Sequence, residues 1–170
     1  MKYLLFDANV IIHACELGVW DRLVSINEIT LAATIRRDET LYYYRPKTGE
    51  KVYLNLTTDS RIQELSIEAE SVDRIRRSLP RSIDLHEGEL ESLAIICAGP
   101  EKYRFCTADR AAIQALVLLD HAEQGLSFEK LLAGCGLTRK VDPEYSEARF
   151  RWCIKQAAIE RVQRPGGKKR

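Results

Sequence analysis

Two aspartates stand where a carboxylate is costly to bury. Asp7 interrupts the apolar run "KYLLFDANVIIHA", and Asp109 closes "RFCTAD". Taking a carboxylate out of water is unfavourable unless something pairs with it. Both runs read as buried strands. Each Asp therefore either ends its strand at a surface or has a partner elsewhere in the chain. Between them "HEGELESLAIICA" opens an apolar helix with acids. On a helical wheel the apolar face centres on Leu93, Ala94 and Cys97, with Glu89 and Glu91 flanking it on opposite sides. Three carboxylates gathered at one sheet end would repel one another by about 4 kcal/mol per pair at ~4 Å and an effective dielectric of ~20. No Lys or Arg stands at a matching position, so a hard divalent cation, Mg²⁺ or Mn²⁺, is the natural counter-charge.

Each acid also has an ordinary role. Asp7 could cap a neighbouring turn, Asp109 could N-cap the helix "RAAIQAL", and Glu89 and Glu91 suit a helix's positive N-terminus. Only together do they point to a site.

The elements that must position them alternate between strand and helix, which predicts an α/β fold with a mainly parallel sheet. Ligands of such sheets bind beyond the carboxyl ends of the strands, where Asp7 and Asp109 lie. "NEITLAATIRR" reads as a helix capped by Asn27, and "SRIQELSIEAESVDRIRRSL" as a long amphipathic helix with a Ser60–Gln63 capping box, closed by Pro80. "SIDLH" reads as a strand. "LYYYRPKTGEKVYLNL" reads as a β-hairpin, inserted around residues 41–56. Its aromatics would pack on the domain, bind a subunit or partner, or stack on bases. Ser127 is a helix cap with no nucleophile motif around it, and His13, His86 and His121 have no ligand spacing.

The chain's 170 residues suit one core. Its net charge of +1 leaves any nucleic-acid site to local clustering. Cys15, Cys97, Cys106, Cys135 and Cys153 are odd in number and form no Cys-x-x-Cys, which argues against disulfides and zinc. No run is long enough to span a bilayer and no signal peptide is evident, so a cytoplasmic protein is expected.

"LLFDANVIIHA", "GELESLAIICA" and "RFCTADRAA", in that order, resemble the successive acidic motifs of PIN-domain nucleases, the second being similar to a subgroup with Gly-Glu at that point. The likeness covers about residues 1–135 and implies a PIN-like domain over 1–140, then a C-terminal helix and basic tail over 141–170. It implies a Mg²⁺- or Mn²⁺-dependent endoribonuclease, the toxin of a toxin–antitoxin pair, with RNA, an antitoxin protein and a homodimer as partners. Asp7, Glu89 and Asp109 would be the catalytic metal ligands, supported by Asn9 and Thr107. Arg74, Arg76 and Arg77, with Arg110 beside Asp109, would contact RNA; otherwise the first three form a solvated helix face.

One family position departs. The acid of a pattern like "ITLAE" is replaced in "EITLAAT" by Ala33. Glu28 before it and Glu39 after it are substitutes, neither on the motif. The alternative function is a non-catalytic PIN-like module that binds RNA or protein. A phosphotransferase would want an acid two residues after Asp7, where Asn9 stands.

Overall fold

A computed structural model describes residues 3–163. Five parallel strands form the central sheet: β1 (Tyr3–Phe6), β2 (Ile29–Ala32), β5 (Ile62–Leu65), β6 (Tyr103–Cys106) and β7 (Gly125–Leu126), in the order β5-β2-β1-β6-β7. After β1 the chain builds outward through β2 to β5, then returns to lay β6 on β1's other side. Strand order therefore reverses between β1 and β6, the crevice where open parallel sheets bind ligands.

Helices α1 (Ala8–Glu16) and α2 (Trp20–Ile26) follow β1, α3 (Ala69–Ser78) and α4 (Glu87–Ala98) follow β5, and α5 (Arg110–Leu118) follows β6. The chain closes with α6 (Phe128–Gly134) and α7 (Glu147–Gln163). As its composition predicts, α4 is buried from Gly88 to Ile96. It packs on β2 and β6, with α3 and α5 against it, while α7 lies along α5. Leu5, Phe6, Ile29, Leu31 and Phe105 form the sheet's fully buried centre. Among the described residues no helix is long and apolar enough to cross a membrane. The expected basic tail, residues 164–170, lies outside the described residues.

The α/β expectation holds, but several elements differ from their sequence reading. "EITLAAT" is not helical. Ile29–Ala32 is a strand with all four residues buried, and Asn27 ends α2, its Nδ2 donating to the Leu23 carbonyl at 3.0 Å. A single π-helical turn, Ile35–Glu39, follows, closed by Thr40 N–H donating to the Ile35 carbonyl. The long helix read after Ser60 begins as edge strand β5, and α3 starts only at Ala69. "SIDLH" forms no ladder.

The hairpin is present: β3 (Tyr42–Tyr44) pairs antiparallel with β4 (Lys51–Tyr53). Gly49 takes φ +68° in its turn, where its N–H donates to the Arg45 carbonyl at 2.8 Å. Alternation gives the hairpin two faces. Tyr43 and Val52 line a cavity with Cys15, Trp20 and Leu56. Tyr42, Tyr44 and Tyr53 are exposed on the other face, with Lys51 Nζ 3.8 Å from the Tyr42 ring centre.

Candidate metal centre

At the reversal Asp7 directly follows β1, whereas β6 stops at Cys106 and Asp109 stands three residues beyond it, before α5. Asp7 is 2% exposed. Thr107 Oγ1 donates to its Oδ2 at 3.0 Å and accepts from Asp109 N–H at 3.1 Å, so one hydroxyl ties both strand ends together. Asp109 also keeps the ordinary role foreseen for it: its Oδ1 caps α5 by accepting from Ala112 N–H at 2.9 Å. Its other oxygen is left for the crevice.

The two acids of α4 part company. Glu89, 3% exposed, turns toward the aspartates while its Oε2 accepts from His86 N–H at 2.8 Å. Glu91 instead clamps the segment after β2, its Oε2 accepting from Thr34 N–H at 3.0 Å. That contact commits Glu91 to structure and leaves Glu89 to the site.

Glu39, one of the two substitutes that the sequence offers, completes the group. Where the family pattern would place an acid there is Ala33, just past β2. The π turn then carries Glu39 across to the N-terminus of α4, where its Oε1 accepts from Gly88 N–H at 2.9 Å. Arg36 braces that turn by donating to the carbonyls of Leu56, Thr57 and Asp59. A Cβ on residue 88 would overlap Glu39 Oε2 and Ile35 Cγ1. Gly88 is thus what lets Glu39 approach. Glu28, the other substitute, is corrected by its position: it is exposed before β2, and its carbonyl accepts from Leu4 N–H at the opposite edge of the sheet. A four-residue strand of about 13 Å separates it from the acids.

The four carboxylates sense one another. Burial, with repulsion from Asp109 and Glu39 working against the Thr107 hydrogen bond, pushes Asp7 up to about 6. Burial and the charges of Asp7, Asp109 and Glu39 push Glu89 up to about 8. Among the described residues none of the four is ion-paired to Lys, Arg or His. No three acidic, His or Cys side chains among those residues converge closely enough to enclose an ion on their own.

Compared with known proteins, the chain matches no family model, no curated protein and no solved structure.

The remaining residues singled out from sequence are spread around this centre. Asn9 is exposed on the first turn of α1, and its carbonyl accepts from Tyr145 Oη at 3.4 Å. On α3, Arg76 pairs with Glu87 at 2.7 Å and Arg74 with Glu70 at 3.9 Å, while Arg77 is exposed. Arg110 lies at the start of α5 beside Asp109, 3.6 Å from Glu160. Ser127 caps α6, accepting from Lys130 N–H. His13 is a core residue stacked on Tyr145 with ring centres 4.0 Å apart. The five cysteines are free thiols.

Proposed function

We propose that the chain is a Mg²⁺- or Mn²⁺-dependent endoribonuclease of the PIN-like type. The supporting observation is the gathering of Asp7, Glu89, Asp109 and Glu39 at the strand-order reversal, where burial and the neighbouring acids raise Asp7 and Glu89 and none of the four has a cationic side-chain partner among the described residues. That donor set fits a hard cation: all oxygen, excess negative charge, and an open arrangement that suits Mg²⁺, which commonly takes one or two carboxylates and keeps several waters. Asp7, Glu89 and Asp109 would hold it partly through bound waters, with Glu39 beside them in place of the acid missing at Ala33. A bound ion would lower the pKa of an attacking water and offset charge on the phosphodiester.

The protein's own groups do the positioning. Thr107 fixes the Asp7 carboxylate and, through Asp109 N–H, the start of α5. The α5 cap fixes which Asp109 oxygen remains free. A carboxylate oxygen not spent on ligation accepts the water's proton; Glu39 Oε2 suits this, because Gly88 N–H holds the other oxygen. A toxin role with an antitoxin partner, and self-association, belong to the same proposal, and the exposed tyrosine face of the hairpin offers a contact for either.

The test is cleavage of mixed structured RNAs in Mn²⁺, Mg²⁺ and EDTA, with Asp7→Asn alongside. Metal-dependent cutting that disappears in the variant is expected. RNA bound but uncut, indifferent to EDTA, favours the non-catalytic module, the reading that Ala33 supports.

A further inference from the structure

Resting on that nuclease reading, we propose that Arg110, Trp152 and Arg149 form a ledge that takes single-stranded RNA beside the acids, with a base stacked on Trp152 and phosphates on the two arginines.

Trp152 is 42% exposed on α7, an unusual place for the largest side chain. Two guanidinium groups lie over its ring, Arg149 Cζ 4.5 Å and Arg110 Cζ 5.7 Å from the ring centre, and would swing onto phosphates as a base takes their place on the face. Arg110 follows Asp109 directly, so the ledge begins where the acids end. Cys153, buried against α5 next to Trp152, is raised by burial and feels the charges of Arg149, Arg110 and Asp109 together, which puts all three in one neighbourhood. Arg149 has no carboxylate within pairing distance among the described residues, although Asp142 and Glu144 share a cavity wall with it. Among the described residues Arg110 pairs only with the half-exposed Glu160, at 3.6 Å.

An aromatic face between cations is the chemistry that single-stranded nucleic acid uses, because every base has a π face and every linkage a negative charge. A duplex hides its base faces and could use only the arginines.

The experiment measures binding of a labelled single-stranded RNA and its duplex in EDTA, where the proposed cleavage is off. Separately, it measures cleavage in Mn²⁺. Trp152→Ala should weaken single-strand binding roughly 5- to 150-fold, the range of one lost base stack, and Trp152→Phe should restore most of it. Arg149→Gln should lower the salt slope of log K by about 0.7. Duplex binding should respond to the arginine changes alone, and in Mn²⁺ the ledge variants should raise KM more than they lower kcat. Wild-type protein that binds no single-stranded RNA, or binding unchanged in Trp152→Ala and Arg149→Gln, overturns the ledge. Those results leave the nuclease reading standing if Mn²⁺ still drives cleavage. Ledge-dependent binding without any cleavage keeps the ledge and discards the nuclease.

Discussion

Replacing Asp7 by Asn should stabilise the metal-free protein at alkaline pH, although the residue lies at the centre of the proposed site. Asp7 rises from an ordinary 3.8 to about 6 in the folded state, chiefly through burial. A carboxyl group raised on folding contributes stability that is fully present below its unfolded pKa and is lost as pH rises through its folded pKa. At about 1.36 kcal/mol per pKa unit, the ionised form costs the fold about 3 kcal/mol once pH exceeds about 7. Asn carries no such charge, and its Oδ1 can still accept from Thr107 Oγ1, which now reaches Asp7 Oδ2 at 3.0 Å. The stability difference between variant and wild type should therefore widen by about 2–3 kcal/mol from about pH 4 to about pH 8. In a chain of this size that is roughly 5–10 °C in Tm. Urea unfolding of both proteins in EDTA, at several pH values, measures it. Saturating Mn²⁺ should then raise wild type by about 2–3 kcal/mol at ~100-fold excess over Kd and leave the variant almost unmoved. A difference flat across that pH range would refute the claim that Asp7 is a buried, repelled charge.

The same crowding makes other outcomes specific. Glu39→Gln should lower the pH at which Glu89 titrates, because Glu39 helps hold Glu89 up near about 8, and should sharply reduce Mn²⁺-dependent cleavage; Glu28→Gln, at the far edge of the sheet, should change neither. Gly88→Ala should displace Glu39 and press on Ile35, costing about 1–3 kcal/mol by overpacking, and a thermal melt with a cleavage assay would show both losses together. Thr107→Val removes the hydroxyl that donates to Asp7 and accepts from Asp109 N–H while keeping its shape, and should cost about 1–3 kcal/mol above pH 7 in urea unfolding. In the hairpin, Tyr43→Ala should destabilise measurably because Tyr43 lines the cavity against α2, whereas Tyr53→Ala, 73% exposed, should stay within about 0.5 kcal/mol.

What could be read from the chain follows from the range of the forces involved. Asp7 and Asp109 were legible because a charge at the end of an apolar run violates a local rule. The helix "EGELESLAIICA" was legible because it is apolar on every side after its first turn. "ITLA" was misread because β2 is a parallel strand buried on both faces, so it lacks the alternation that marks a half-buried strand. A run that short is equally at home in a buried helix. "RIQEL" failed for another reason: Ile62 and Leu65 stand three apart and extend the apolar stripe of α3, although the chain between them pairs with β2.

The misreading of β2 also left Glu39 level with Glu28 as a substitute acid. Taken as a helix, "EITLAATIRRDE" presents Ala33 at the motif position and leaves Glu39 more than a turn away. As a strand followed by a π turn, it stops short at Ala33 and swings Glu39 onto α4. A π turn often marks a functional site, yet it has no sequence signature of its own. The one trace is Gly88, a glycine in the first turn of α4 where helix propensity would favour alanine. Its reason becomes visible only when Glu39 is seen filling the place of a Cβ. The Gly-Glu pair is then a single device: Gly88 admits one acid through space while Glu89 supplies another along the chain. Reading residues in order finds the second outright, but only the fold separates the first from Glu28.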